Sequence, residues 1–291
     1  MQRLPSDFAE LLRIGNPAWQ AVRAALACLT ESAQNDPEVR GPDGERLVLR
    51  LNECRLHAPL QPGKIVAIGR NYPEHVAEDP GSRTPTFIPS CWIKANSSIT
   101  GPFEEIVKPA CVREFDYENE LCVVIGKTCK NIDESEAYDY IAGYTIMNDL
   151  SARDIIRLER REGNLLMGKM FEGFAPMGPW FVSKDEIPNP MSLRILTRVN
   201  GEARQDGNTR DMIWPIAKLV AYLSQMRLDP GDIISTGTPA GTGLGRRKQE
   251  PPWWLNEGDV LESEIEGIGT LRNRIVADPG PPAPWKWPDQ R

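Results

Sequence analysis

The stretch Asp116-Tyr117-Glu118-Asn119-Glu120-Leu121-Cys122-Val123-Val124-Ile125-Gly126 decides how the chain is read. Its Val, Ile, Tyr and Leu content and the closing glycine predict a β-strand entering a turn. Side chains two apart on a strand share a face. Glu118 and Glu120 therefore lie side by side, about 7 Å apart at Cα from the rise per residue. Tyr117, Leu121, Val123 and Ile125 point the other way, into a core. Two carboxylates on one face of so apolar a strand repel each other and resist desolvation; a hard cation between them removes both difficulties. Half-exposed strands are common, so a solvated face with two inert glutamates is the other reading of the same residues.

Outward from this strand the chemistry-bearing residues are few. Lys64-Ile65-Val66-Ala67-Ile68-Gly69 reads as a buried strand. It runs into Arg70-Asn71-Tyr72-Pro73-Glu74-His75-Val76-Ala77-Glu78, one helical turn or two. On a helix His75 and Glu78 share a face, and the carboxylate can orient the imidazole; a plain surface pair is the alternative. The chain has only two histidines, and His57 stands among Leu and Pro as an ordinary structural residue. Asp79 to Pro89 is a polar loop and lid candidate. Tyr144 to Asp149 is a strand, ending where Asp149 to Asp154 starts a helix; from local sequence Asp149 reads first as a cap. Gly168 to Pro179 is a Gly- and Pro-rich crossing carrying Lys169. Gly237-Thr238-Pro239-Ala240-Gly241-Thr242-Gly243 brings backbone amides near a ligand but lacks the lysine and spacing of a P-loop.

Helices are predicted over 5–35, 133–140 and 214–226, and strands over 47–51, 91–94, 180–182, 193–199, 233–236, 259–266 and 269–276. Asn200-Gly201 marks a hairpin. The 291 residues divide into an N-terminal appendage (1–60), a main domain (61–278) and a Pro- and Trp-rich tail (279–291).

A net charge of −7 with no basic run argues against nucleic acid or an anionic membrane as partner. No apolar stretch reaches membrane-spanning length, and the N-terminus lacks a signal-peptide pattern. The six cysteines form no CxxC pair and are expected to be reduced thiols in a cytoplasmic protein.

The pieces in order resemble the fumarylacetoacetate hydrolase family across roughly residues 64 to 276. They include Gly69-Arg70-Asn71-Tyr72 with His75 and Glu78, Glu118-x-Glu120-Leu121, Asn148-Asp149-x-Ser151-Ala152-Arg153-Asp154, Gly168-Lys169-x-Phe171, Asn200-Gly201-Glu202 with Gln205, and Thr236-Gly237-Thr238-Pro239. The resemblance implies an α+β fold: a mixed β-sandwich roll, here with a small N-terminal appendage. It implies Mg²⁺ or Mn²⁺ on Glu118, Glu120 and Asp149, an oxygen set suited to a hard ion. It further implies a homodimer and a small anionic 2-oxo acid as substrate. Lys169 would hold the substrate's carboxylate or enolate oxygen. His75, oriented by Glu78, would activate water for cleavage of a C–C bond in an acylpyruvate or 2,4-diketo acid through a metal-held enolate. Arg70, Arg153, Arg204 and Gln205 are candidates for the substrate's remote end, with Tyr72 and Thr238 also expected to touch substrate. Decarboxylation of an oxo-diacid, isomerisation of a 2-hydroxydienedioate, and a non-catalytic binding role are the alternatives.

Overall fold

The structure, a computed structural model, describes residues 4–79, 82–249, 251, 253–281 and 284–288. In chain order the elements begin with helices α1 (Phe8–Ile14) and α2 (Asn16–Asn35), strand β1 (Ile65–Gly69), helix α3 (Pro73–Glu78) and strands β2 (Ser90–Lys94), β3 (Ile99–Thr100), β4 (Ile106–Lys108), β5 (Phe115–Asp116) and β6 (Asn119–Ile125). Strands β7 (Ile141–Asn148) and β8 (Ser151–Ala152), helix α4 (Arg153–Arg161), and strands β9 (Ala175–Ser183), β10 (Arg194–Val199) and β11 (Glu202–Asn208) follow. Helix α5 (Ile216–Leu223) and strands β12 (Ile233–Ser235), β13 (Val260–Ile265) and β14 (Gly269–Ala277) complete the chain.

The strands form a seven-stranded mixed sheet, β2-β1-β12-β6-β7-β9-β3, and a five-stranded sheet, β11-β10-β13-β14-β4; β5 pairs with β8. The two main sheets pack together as an α+β sandwich. On one face of the larger sheet Val66, Leu121, Val123, Ile146 and Ile234 meet Ile195, Ile265 and the apolar side of α5. On the other, Ile65, Cys122, Val124, Met147 and Ile233 meet Leu12 of α1, with Phe8, Trp19 and Phe181 packed alongside. Strand β6 is consequently buried on both faces, which explains its continuous apolar run. The solvated-face reading of Glu118 and Glu120 falls with it: they are 4% and 1% exposed.

Several predicted elements change. The helix expected over 5–35 breaks at Gly15, whose φ of 73° lies where glycine is favoured. Residues 47–51 form no strand; their leucines are exposed and have no sheet edge to join. Residues 134–140 coil as a 3₁₀ helix rather than α, capped by Asp133 through the Ser135 amide. The hairpin at Asn200-Gly201 is present, with φ of 53° and 82°. Of the predicted lid, residues 80 and 81 lie outside the described residues. The remainder, 82–89, is irregular and exposes Phe87 and Ile88. The tail lies partly outside them; within it Trp287 packs beside the Phe115 cluster and Trp285 is exposed.

Candidate active site

Strand parity places Glu118 and Glu120 on one side of β6. Its antiparallel neighbour β7 ends at Asn148 and delivers Asp149 beside them, the Asp149 amide donating to the Glu118 carbonyl at 2.8 Å. Ligand oxygens of Glu118, Glu120 and Asp149 lie within 4.8 Å of one another, and all three residues are buried. Burying carboxylates together is costly unless cations compensate. Lys169 donates to Glu118 Oε2 at 2.5 Å and to Asp149 Oδ2 at 2.7 Å. Lys94, at the end of β2, donates to Asp149 Oδ1 at 2.7 Å and to the Lys169 carbonyl. Arg153, the first residue of α4, joins Asp116 Oδ2 at 2.7 Å to Glu118 Oε1. Four buried carboxylates thus face three buried cations.

Among the described residues Glu120 is the one carboxylate of the four with no ion pair. Its Oε2 accepts from the Ser235 hydroxyl at 2.5 Å and from the Gly237 amide at 3.0 Å. Gly237 must be glycine: its φ is 90°, and a Cβ there would stand 2.8 Å from Cβ of Asn71. Burial, then the charges of Asp149 and Glu118, push the Glu120 carboxyl well above the usual range. For Glu118 burial acts in the same direction, but Arg153, Lys169 and His75 together outweigh it and hold the group below that range. Burial pulls the Lys94 ammonium down, with Asp149 opposing; Lys169, between two carboxylates, is raised despite its burial. A close set of buried carboxylate oxygens, with one member lacking a positive partner among the described residues, fits a hard divalent ion.

A cavity of about 620 Å³ opens above this cluster. Its lining includes Glu118, Glu120, Lys169, His75, Arg70, Arg153 and Thr238. On α3, His75 Nδ1 meets Glu78 Oε2 at 2.9 Å, and Nε2 faces Glu118 Oε1 at 3.8 Å. Glu78 is itself held by the Gly241 amide at 2.6 Å and the Thr242 hydroxyl at 3.3 Å. The glycine-rich loop thus fixes the carboxylate that fixes the imidazole. With Nδ1–H donating to Glu78, Nε2 keeps its lone pair toward the cavity.

Three expected substrate contacts lie elsewhere. Tyr72 is buried in the core between the sheets, because it faces inward where β1 gives way to α3. Gln205 is fully buried and spends its amide on Thr238 Oγ1 and the Pro239 carbonyl, at 2.8 Å each. Arg204 pairs with Glu202 at 3.0 Å and does not line the cavity. Thr238 does line it, although its hydroxyl donates to the Asn119 carbonyl at 2.9 Å. Lys94, Asp116, Ser235, Trp92 and Arg160 escape a local reading of the sequence. Trp92 and Lys94 are two apart on β2, so strand parity puts them on one face, and the Lys169 ammonium rests 5.0 Å from the Trp92 ring centroid.

The family described as fumarylacetoacetate (FAA) hydrolase C-terminal matches residues 64–276. The human mitochondrial oxaloacetate tautomerase FAHD2A is 38% identical over 277 residues, covering 94% of this chain and 81% of its own. Among solved structures, a 2-hydroxyhepta-2,4-diene-1,7-dioate isomerase from Mycobacterium marinum is 36% identical with a TM-score of 0.68, over 83% of this chain and 87% of its own. A maleylpyruvate hydrolase from Sphingobium sp. SYK-6 is 30% identical with a TM-score of 0.70, over 93% and 86%.

Proposed function

The chain belongs to the fumarylacetoacetate hydrolase family, and from that premise we propose that it is a divalent-metal-dependent enzyme interconverting the keto and enol forms of a short 2-oxo acid. The observation that supports this reading is the pose of His75. Its Nε2 faces the carboxylate cluster, and its Nδ1 is tied to Glu78. Glu118, Glu120 and Asp149 would hold Mg²⁺ or Mn²⁺. When bound, the ion supplies Lewis-acid polarisation of the substrate carbonyl. His75 Nε2 takes a proton from the carbon next to that carbonyl, and Glu78 stabilises the imidazolium that results. Lys169 faces the oxygen where negative charge grows. His75 then delivers that proton to the carbonyl oxygen, giving the enol; in the ketonising direction it takes the enol O–H proton and delivers it to carbon, so no other atom leaves or joins. The tautomerase that aligns with 94% of the chain favours this reaction.

Hydrolysis of a C–C bond is the second reading. A His-Glu pair is suited to activating water, and about 620 Å³ leaves room for a longer diketo acid with a water beside it. In either case the expected assembly is a homodimer.

One panel separates the two. Purified enzyme is given enol-oxaloacetate, an acylpyruvate and maleylpyruvate with Mg²⁺ or Mn²⁺, with and without chelator, and His75→Ala runs beside it. Ion-dependent ketonisation that falls about 10²- to 10⁴-fold in His75→Ala, while Mn²⁺ binding by calorimetry persists, supports the tautomerase. Cleavage of the longer acids moves the assignment to the hydrolase. Turnover unchanged in His75→Ala overturns both.

A further inference from the structure

The cavity wall away from the carboxylate cluster is cationic, in a chain whose net charge is −7. Three guanidinium groups line the cavity: Arg153, which belongs to the carboxylate cluster, and Arg70 and Arg160. Arg153 is fully engaged by Asp116 and Glu118. Arg160 stands seven residues further along α4, so two helical turns bring it back to the same side, about 10 Å along the axis. Among the described residues its carboxylate partner is Asp79, at 3.5 Å. Arg70 leaves β1 with φ of 56°, a conformation that costs a non-glycine residue energy. Among the described residues its side chain reaches neutral acceptors, Ser90 Oγ at 3.1 Å and the Arg83 carbonyl at 3.4 Å. Among the described residues no carboxylate lies within ion-pair distance of Arg70. Asp79 also lines the cavity. Among the described residues, two cations thus stand near one loosely held carboxylate, leaving a net positive charge there. It faces the space where the far end of a bound substrate would lie.

We propose that Arg160 and Arg70 receive the second carboxylate of a dianionic substrate, and that Asp79 occupies this receptor in the substrate's absence. The inference rests on the reading of the site as one for 2-oxo acids and adds the second charge. A monoanion engages the cluster end alone. A dianion must also displace Asp79 from Arg160, exchanging a 3.5 Å contact for a charge-assisted fork. The dianion's advantage is therefore carried by KM, and the Asp79 carboxylate lowers it by competition.

The test compares enol-oxaloacetate with the enol of 2-oxobutanoate, a monoanion of the same carbon count, in wild type, Arg160→Ala, Arg160→Lys and Asp79→Asn. Arg160 and Asp79 are half exposed, so the variants are expected to fold. Arg160→Ala should lower the dianion-over-monoanion ratio of kcat/KM about 10-fold or more, through KM; Arg160→Lys should restore part of it; Asp79→Asn should raise it a few fold. In parallel, calorimetry measures succinate against butyrate with Mg²⁺ present and no turnover. Succinate binding that weakens about 10-fold in Arg160→Ala supports the receptor even if wild type turns over neither acid, a result that would sink only the assigned reaction. An unchanged ratio in Arg160→Ala, with succinate binding equally unchanged, overturns the receptor.

Discussion

Lys94 shows how much one side chain can hold at this site. It ends an edge strand, where a lysine ordinarily reaches for water. Here it is 1% exposed and joins Asp149 to the Lys169 carbonyl. Removing one member of a buried ion pair leaves its partner uncompensated. Lys94→Met is therefore expected to lower the unfolding free energy by about 3 to 5 kcal/mol, read by denaturant titration, with added Mg²⁺ returning part of the loss. A loss below about 1 kcal/mol would mean that the Lys94–Asp149 contact contributes little to stability. The residue was legible in sequence only as the end of a strand. Strand parity pairs Glu118 with Glu120, but Asp149, which reads locally as a cap, and Lys169 join them only through the resemblance of the ordered motifs to a family; nothing in Cys91-Trp92-Ile93-Lys94 announces that its lysine turns inward. Tyr72, Arg204 and Gln205 carry the reverse lesson. Their side chains suit substrate recognition, but strand parity and core packing, which a residue type does not encode, take them away from the cavity.

Among the elements, those with a strong period were legible and those made by tertiary pairing were not. The β10–β11 hairpin and strands β13 and β14 follow from alternation and an Asn-Gly turn. The two-residue strands β5 and β8 exist because Phe115 and Ala152 happen to meet, which no local pattern signals. The turn between β3 and β4 is similar, and it titrates. Glu104 there accepts from the Thr100 hydroxyl at 2.7 Å and from the Gly101 amide at 3.1 Å, and pairs with Arg55 of the N-terminal segment at 2.8 Å. The Thr100 and Gly101 bonds, with Arg55 adding to them against a small burial cost, bring its carboxyl from 4.5 down to about 2. A depressed carboxyl contributes stability that is present above the unfolded value and lost as pH falls toward the folded one. Glu104→Gln should therefore flatten the fall in melting temperature between pH 4.5 and about 2 and change little of its slope at neutral pH. An acid limb identical to wild type would show that Glu104 does not anchor the segment.

Across the whole molecule, a divalent ion is expected to act on folding as well as on turnover. It would settle on oxygens drawn from β6 and from the end of β7, with Ser235 and Gly237 after β12 bracing Glu120. An ion that binds only the folded chain should raise stability by about 2.7 kcal/mol at one hundred times its Kd. Melting followed by calorimetry should thus move upward with Mg²⁺ or Mn²⁺ and return with chelator; a transition indifferent to both would remove the ion from Glu120. The same arrangement bears on how the chain is made. β1 lies in register between β2 and β12, parallel to the latter, and Lys64 bonds Asp232 across 168 positions. On the ribosome, at roughly 5 to 20 residues per second, β1 emerges on the order of 10 to 30 s before the strand that seats beside it. Until then its inner edge has no permanent neighbour, and Glu120 waits for Ser235. The carboxylate cluster is therefore among the later parts of the protein to form, and a chain truncated before residue 233 would carry Glu118, Glu120 and Asp149 without the strand that braces Glu120.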